Sequence, residues 1–177
     1  MKNILAIGGS NSSNSINRKL ANYTATLFND SLVKSYDLSV VDLPVYSVQL
    51  EEKLGIPELV IEFATQIDQA DLIVISLAEH NGFLSAGFKN LLDWTSRVEG
   101  RKVFGDKPMF LMATSPGERG GSTVLEIAKN IFQYQGADIK NTFSLPSFYQ
   151  NFEDEKGITN EELLTDLKGL IEEINLN

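Results

Sequence analysis

The sequence contains no cysteine and only one histidine, His80, among its 177 residues. The absence of cysteine excludes disulfides, thiol nucleophiles and thiolate-bound metal ions. A single histidine also excludes a histidine-rich metal centre within one chain. The sequence therefore predicts a functional site without a metal ion.

Basic residues and long apolar runs are also scarce. The chain has 15 lysines and arginines against 24 acidic residues, for a formal net charge of -9. This balance argues against nucleic acid or an anionic membrane surface as the main partner, but allows a small anionic ligand in a local pocket. The first apolar run, residues 4–7, is too short for a signal peptide, and no run approaches a membrane span. A cytoplasmic location is expected.

Apolar runs alternate with segments of helical periodicity along the chain. Residues 71–77 are apolar almost throughout, which is typical of a strand buried on both faces of a parallel sheet. The predicted strands are 4–7, 33–38, 71–77, 109–113 and 139–145, and helical faces begin at Ile16, Val60, Leu84, Val124 and Leu163. This alternation predicts an α/β fold with a five-stranded parallel sheet and helices on both faces. We expect one domain, residues 1–177, with a linker at 148–156.

A small polar loop, residues 8–18, separates the first strand from the first helix. Such a loop leaves backbone N–H groups free at a helix N-terminus, where the helix dipole favours negative charge. The hydroxyls of Ser10, Ser12, Ser13 and Ser15 and the amide of Asn17 are further candidate donors, and the loop contains no carboxylate. The loop therefore predicts a phosphate site suited to a mononucleotide. The alternative is a serine-rich turn that caps its own helix.

Two further loops follow the third and fourth strands, at residues 78–82 and 114–122. In an open α/β sheet they converge with the first loop at the carboxyl ends of the strands. We expect the backbone of 78–82 and the Asn81 amide to face the pyrimidine edge of a flavin, with Gly82 allowing close approach. The glycines of 114–122 leave one ring face open for a hydride donor, and Arg119 is a candidate partner for a phosphate of a nicotinamide cofactor.

Three side chains have competing interpretations. His80 is either a ring contact or proton shuttle, or a polar loop residue. Glu79 is either a general base or a charge that stabilises a helix N-terminus. Trp94 either covers apolar surface at a subunit contact or completes the core of its helix.

These loops resemble those of the NAD(P)H-dependent FMN reductases of the flavodoxin-like fold. In that family the first strand ends in Gly-Ser-x-Arg-x-x-Ser-x-Asn, which matches residues 9–17 here except at Ser12. The family's Pro-Glu-Tyr-Asn-Gly, its Lys-Asn and Asp-Trp pairs and its Ser-Pro-Gly with a later Gly-Gly correspond to residues 78–82, 89–90, 93–94, 115–117 and 120–121. The resemblance covers nearly the whole chain.

The resemblance implies a three-layer sandwich with strand order 2-1-3-4-5 and the cofactors FMN and NADPH or NADH. The implied cofactor-binding residues are Gly9, Ser10, Ser12, Ser15, Ile16, Asn17, Ala78, Glu79, His80, Asn81, Gly82, Ser115, Pro116, Gly117, Gly120 and Gly121. Two positions depart from the family. Ser12 replaces an arginine, which removes a charged phosphate partner and predicts weaker FMN binding. His80 replaces a tyrosine, which changes ring stacking and acceptor preference.

The resemblance also implies an activity. The chain is expected to pass hydride from NAD(P)H through FMN to a small-molecule acceptor such as a flavin, a quinone or an azo dye. The cofactor carries the chemistry, so no side chain is expected to be a catalyst. A homodimer or homotetramer is implied. Two alternatives are an FMN-binding electron carrier with a protein partner, which the acidic charge favours, and a regulatory binding protein that has lost tight flavin affinity.

Overall fold

The computed structural model describes residues 1–174. Its strands are β1 (Lys2–Gly9), β2 (Ser31–Tyr36), β3 (Leu72–Leu77), β4 (Glu79–His80), β5 (Phe83–Leu84), β6 (Lys107–Thr114), β7 (Ala137–Leu145), β8 (Phe152–Glu153) and β9 (Gly157–Ile158). Its helices are α1 (Ile16–Thr26), α2 (Val48–Leu54), α3 (Glu58–Gln69), α4 (Ala86–Thr95), α5 (Ser122–Tyr134), α6 (Phe148–Asn151) and α7 (Glu161–Glu172). None of these helices is long and apolar enough to cross a membrane.

Five of the strands form one parallel sheet in the order β2-β1-β3-β6-β7. Taken in chain order, these five strands have the spatial order 2-1-3-4-5. Every residue of β3 is buried, as expected for a strand inside a sheet with both faces covered. The predicted α/β class and the flavodoxin-like strand order are therefore confirmed.

The hydrophobic core lies in two layers, one on each face of the sheet. Successive residues of β1 point to opposite faces, so Leu5 and Ile7 join one cluster while Ile4 and Ala6 join the other. The first cluster includes buried apolar residues of α3, α4 and α5, and the second includes buried apolar residues of α1 and α7. The sheet is thus the middle of three layers.

Several predicted boundaries were wrong. The second strand occupies Ser31–Tyr36, and a 3-10 turn follows at Leu38–Val40. Helix α2 was not predicted because it buries none of its residues, which leaves no apolar stripe to recognise. The predicted linker at 148–156 instead contains α6 and β8, which are too short for a periodic pattern.

The N-terminus of α7 is also displaced from its predicted position. Residues 159–162 have the sequence pattern of a capping box that would start at Thr159, but the cap is Asn160, whose side chain accepts from the Leu163 N–H. The helix then presents Leu167 and Ile171 to the core. Leu167 belongs to the predicted stripe of Leu163, Leu167, Leu170 and Ile174, whereas Ile171 was not predicted.

We predict that Phe88→Ala lowers the free energy of unfolding by about 3–5 kcal/mol, because it leaves a cavity in a close-packed core. Phe88 is fully buried, and its ring lies 6.4 Å from that of Phe132. Urea titration followed by Trp94 fluorescence measures the change. The control is Tyr134→Ala, which removes an aromatic ring that is 88% exposed and should change the free energy by less than about 0.5 kcal/mol. Equal effects of the two substitutions would contradict this description of the core.

Candidate functional site

The three predicted loops meet in a cleft at the carboxyl edge of the sheet. The cleft has a volume of about 170 Å³ and is lined by Ser10, Ser12, Asn14, Ser15, Ile16, Asn17, Ala78, Glu79, His80, Thr114, Ser115, Pro116 and Tyr149. Ten of the sixteen implied cofactor-binding residues are in this lining. The topology therefore brings most of them together, from segments far apart in sequence.

Serine hydroxyls organise the first loop through its own backbone. The Ser10 hydroxyl accepts from the Ser12 N–H at 3.2 Å, and the Ser12 hydroxyl accepts from the Asn14 N–H at 3.3 Å. Ser15 caps α1, with its hydroxyl accepting from the Arg18 N–H at 3.1 Å. The capping interpretation of this loop is therefore confirmed at Ser15.

The same loop leaves donors available to an anion. The backbone N–H groups of Ile16 and Asn17 lie in the first turn of α1 and have no hydrogen-bond partner within residues 1–174. The hydroxyls of Ser10, Ser12 and Ser15 accept bonds, but donate none to the described part of the chain. Since a helix N-terminus also favours negative charge, this donor set fits a phosphate. Capping and anion binding are thus compatible in one loop.

Arg18 holds the loop from outside the cleft. Its Nη2 donates to the Ser13 carbonyl oxygen at 2.8 Å, and its Nη1 forms an ion pair with Asp37. Hydrogen bonds from Ser39 and the nearby Arg18 guanidinium lower the pKa of the Asp37 carboxyl. The arginine thereby connects the loop to the turn that follows β2.

The Asn17 side chain has a structural role at the edge of the sheet. Its Oδ1 accepts from the Ser76 hydroxyl at 2.7 Å and from the Thr114 N–H at 3.2 Å, and its Nδ2 donates to the Thr114 carbonyl at 3.3 Å. One of the two Nδ2 hydrogens is thus engaged within the protein, and the expected donation from the amide to a phosphate stays a prediction. The side chain is buried and joins α1 to the ends of β3 and β6.

The second loop is a tight antiparallel hairpin formed by β4 and β5. Asn81 and Gly82 form its turn with φ values of 52° and 77°, as the Asn-Gly pair of a type I′ turn requires. Glu79 accepts from the Val124 N–H at 3.0 Å and so caps α5, which confirms the helix-charge interpretation. The His80 side chain is exposed at the cleft.

The third loop is packed tightly against the sheet. A Cβ on Gly120 would lie 2.4 Å from the Ser144 hydroxyl oxygen, and one on Gly121 would lie 3.0 Å from the Ala113 Cβ. These glycines thus serve close packing. Six implied cofactor-binding residues, Gly9, Asn81, Gly82, Gly117, Gly120 and Gly121, do not line the cleft, and their contact with a cofactor stays a prediction. Arg119 is exposed and donates to the Thr123 hydroxyl, so its phosphate contact is likewise untested.

The structure also decides the role of Trp94 and adds residues to the site. Trp94 is fully buried, and its Nε1 donates to the Pro44 carbonyl at 2.8 Å, so it belongs to the core.

Sequence reasoning missed Asn14, Thr114 and Tyr149 in the cleft lining. Tyr149 follows the last strand of the sheet at its carboxyl edge, and that position was the available signal.

Comparison with known proteins agrees with this geometry. The family model of the NADPH-dependent FMN reductases matches residues 2–150. This chain belongs to that family. The resemblance drawn from the three loops is thereby confirmed.

Two reductases are among the curated relatives of this chain. A quinone reductase of Escherichia coli K12 is 33% identical over 103 residues, which are 58% of this chain and 54% of that protein. The chain thus spans about half the length of the first curated relatives it matches. A 2-hydroxy-1,4-benzoquinone reductase of a Burkholderia species is 32% identical over 132 residues, 74% of this chain and 70% of that protein.

Solved structures share the fold. The flavoenzyme NAD(P)H:(acceptor) oxidoreductase FerB from Paracoccus denitrificans aligns with a TM-score of 0.77 at 24% identity, over 97% of this chain and 94% of that one. An azoreductase from Bacillus anthracis str. Sterne aligns with a TM-score of 0.64 at 17% identity, over 97% and 98%. At these identities the likeness supports the flavodoxin-like fold of this chain.

We predict that Asn17→Ala lowers the free energy of unfolding by about 2–4 kcal/mol, because it leaves the buried Ser76 hydroxyl and Thr114 N–H without their partner. Chemical denaturation of the wild type and the variant measures the effect. Asn14→Ala is the matched control, since Asn14 is an exposed asparagine of the same loop and its removal should have almost no effect. A loss for Asn17→Ala no larger than that for Asn14→Ala would contradict the cross-linking role.

Proposed function

We propose that this chain is an FMN-dependent NAD(P)H oxidoreductase that reduces a small-molecule acceptor, carried by one domain of residues 1–177. The observation that supports it most is the cleft itself. This chain belongs to the FMN reductase family, and in its cleft the N–H groups of Ile16 and Asn17, which have no partner within residues 1–174, lie beside residues 78–80 and 114–116 of the other two loops. We propose quinones as the first acceptor class to test, because two relatives of this chain are named as quinone reductases. Flavins and azo compounds are the other classes.

Each loop has a distinct task in this proposal. The Ile16 and Asn17 N–H groups and the hydroxyls of Ser10, Ser12 and Ser15 would hold the FMN phosphate. The segments 78–80 and 115–116 would border the flavin ring. When bound, FMN supplies the hydride and electron transfer between NAD(P)H and the acceptor. The chain's own contribution is to bind and orient the ligands and to leave the cleft open to both substrates.

No side chain in the cleft is assigned a catalytic proton in this proposal. Glu79 is engaged by the Val124 N–H, and its carboxylate serves the N-terminus of α5. His80 is exposed next to the turn of the hairpin. An imidazole in that position is better suited to contact with a ligand ring than to proton transfer along a fixed path. The expectation that the catalytic chemistry resides on the cofactor therefore stays our proposal.

We propose further that the protein acts in the cytoplasm as a homodimer or homotetramer. Its reductant, NADPH or NADH, is a metabolite of the cell interior. An open depression of about 520 Å³, away from the cleft, is lined by Val48, Ile56, Ile61 and Val98 together with Gly55 and the charged residues Glu51, Glu52, Arg97 and Glu99. Val48 is 54% exposed and Ile61 is 43% exposed, and a second copy of the chain would cover such apolar surface.

The proposed activity is tested by an absorption spectrum of the protein after incubation with FMN and passage through a desalting column. We expect a retained yellow band that bleaches on addition of NADPH or NADH and returns in air or with a quinone. Flavin that is retained but not reduced would favour the electron-carrier alternative. No retained flavin and no NAD(P)H oxidation at excess FMN would contradict the proposal and favour the regulatory binding protein.

We predict that Ser15→Asp lowers the affinity for FMN by about a hundredfold, because it adds a negative charge beside the phosphate donors. Aspartate caps helices as well as serine does, so α1 should be retained. Flavin fluorescence titration measures the dissociation constant.

The matched control for this charge change is Ser47→Asp. Ser47 caps α2 in the same way, with its hydroxyl accepting from the Leu50 N–H, but does not line the cleft. We expect its FMN affinity to equal that of the wild type. Unchanged affinity in Ser15→Asp, with the protein folded, would rule out the phosphate site at this loop.

A further inference from the structure

Tyr149 presents an exposed aromatic ring at the cleft. It is 71% exposed and lines the cleft together with His80, Ser115 and Pro116. Among the large apolar side chains that are exposed within residues 1–174, it is the one in the cleft lining. An exposed tyrosine alone is ordinary, so its meaning depends on how it is held.

The backbone on which Tyr149 stands is tied to the third loop. The Ser147 N–H donates to the Gly117 carbonyl at 2.9 Å, and the Phe148 N–H donates to the Ser115 carbonyl at 3.0 Å. Ser147 has a φ of 46°, in the left-handed region that costs energy for a residue with a Cβ. The two hydrogen bonds hold this uncommon backbone conformation, and they thereby fix the backbone position of Tyr149.

Neighbouring aromatic rings support Tyr149 from one side. Phe148 is buried and stacks on Phe152, with ring centroids 4.6 Å apart and planes at 21°. The Tyr149 ring meets Phe148 edge to face, with centroids 5.6 Å apart and planes at 88°. The supported ring therefore keeps most of its surface free beside a ligand cleft, where a planar ligand would cover it.

We propose that Tyr149 is a specificity-determining residue that stacks on the planar ring of the electron acceptor. This inference rests on the proposed function and names the residue that selects ring-shaped acceptors. A quinone offers a flat ring, so stacking on the tyrosine face accounts for much of its binding. A nicotinamide dinucleotide also offers phosphates, riboses and an adenine, so it depends far less on one stacking contact.

The test compares Tyr149→Ala with the wild-type holoenzyme, using 1,4-naphthoquinone as the acceptor. We expect the KM for the quinone to rise about five- to tenfold, as loss of one aromatic contact implies. The kcat, the KM for NADPH and the dissociation constant of FMN should stay within about twofold of wild type. Reduction of ferricyanide, an acceptor without a planar ring, should not change. Tyr149→Phe keeps the stacking surface and should retain a near wild-type KM.

A binding measurement provides a readout that is independent of turnover. NMR titration of the oxidised holoenzyme with 1,4-naphthoquinone, without NADPH, should show the same five- to tenfold weakening in Tyr149→Ala. The matched control is Tyr134→Ala, which removes a tyrosine that is 88% exposed at the end of α5. Helix α5 starts near the cleft, and its last residue, Tyr134, lies about 18 Å from its first residue along the helix axis. The control should bind the quinone as the wild type does.

The outcomes separate the two proposals. Retained NADPH turnover with unchanged quinone KM and quinone affinity in Tyr149→Ala would overturn the role of Tyr149 alone. An equal rise in the KM for NADPH or in the dissociation constant of FMN would also overturn it, since the residue would then serve the cofactors. A wild-type protein that neither retains FMN nor oxidises NADPH would refute the proposed function, and this inference with it.

Discussion

A buried asparagine holds together the edge of the sheet on which the cleft depends. Asn17 bonds to Ser76 at the end of β3 and to both backbone groups of Thr114 at the end of β6. Thr114 in turn donates from its hydroxyl to the Leu145 carbonyl at the end of β7. One polar chain therefore connects the first helix to three strands, in a low-dielectric setting where each hydrogen bond matters more than at the surface. The first turn of α1, with its free N–H groups, is oriented by this network.

The architecture was largely predictable because its signals are local. The apolar run of β3 and the helical stripes of α1, α3, α4 and α5 each follow from burial on one or both faces of an element. Helix α2 escaped prediction because it is held by surface polar contacts instead. There Arg97 Nε lies 2.9 Å from Glu51 Oε2, and the Tyr46 hydroxyl donates to the same carboxylate at 2.9 Å. Such contacts leave no periodic pattern in the sequence.

The candidate site was predictable as a set of loops, but its individual contacts were not. Composition predicted an anion site in the first loop, yet it did not show that the Asn17 side chain bonds to Thr114 while the Asn17 N–H has no partner within residues 1–174. Glu79 offered two roles in sequence, and a bond to Val124, 45 positions away, decides between them. Tyr149 carried no motif at all. Its place in the cleft follows from tertiary hydrogen bonds between 147–148 and 115–117. Residue type thus predicted the chemistry, and the fold determined which atoms are free for it.

The central claim is that the start of α1 binds the phosphate of FMN through backbone N–H groups. The most direct measurement is a ¹H–¹⁵N correlation spectrum of the labelled protein, titrated with FMN and separately with inorganic phosphate. We predict that the amide signals of Ile16 and Asn17 shift strongly with FMN, and that phosphate alone shifts the same pair at higher concentration. Signals that move only at other residues, with Ile16 and Asn17 unaffected by either ligand, would contradict the account.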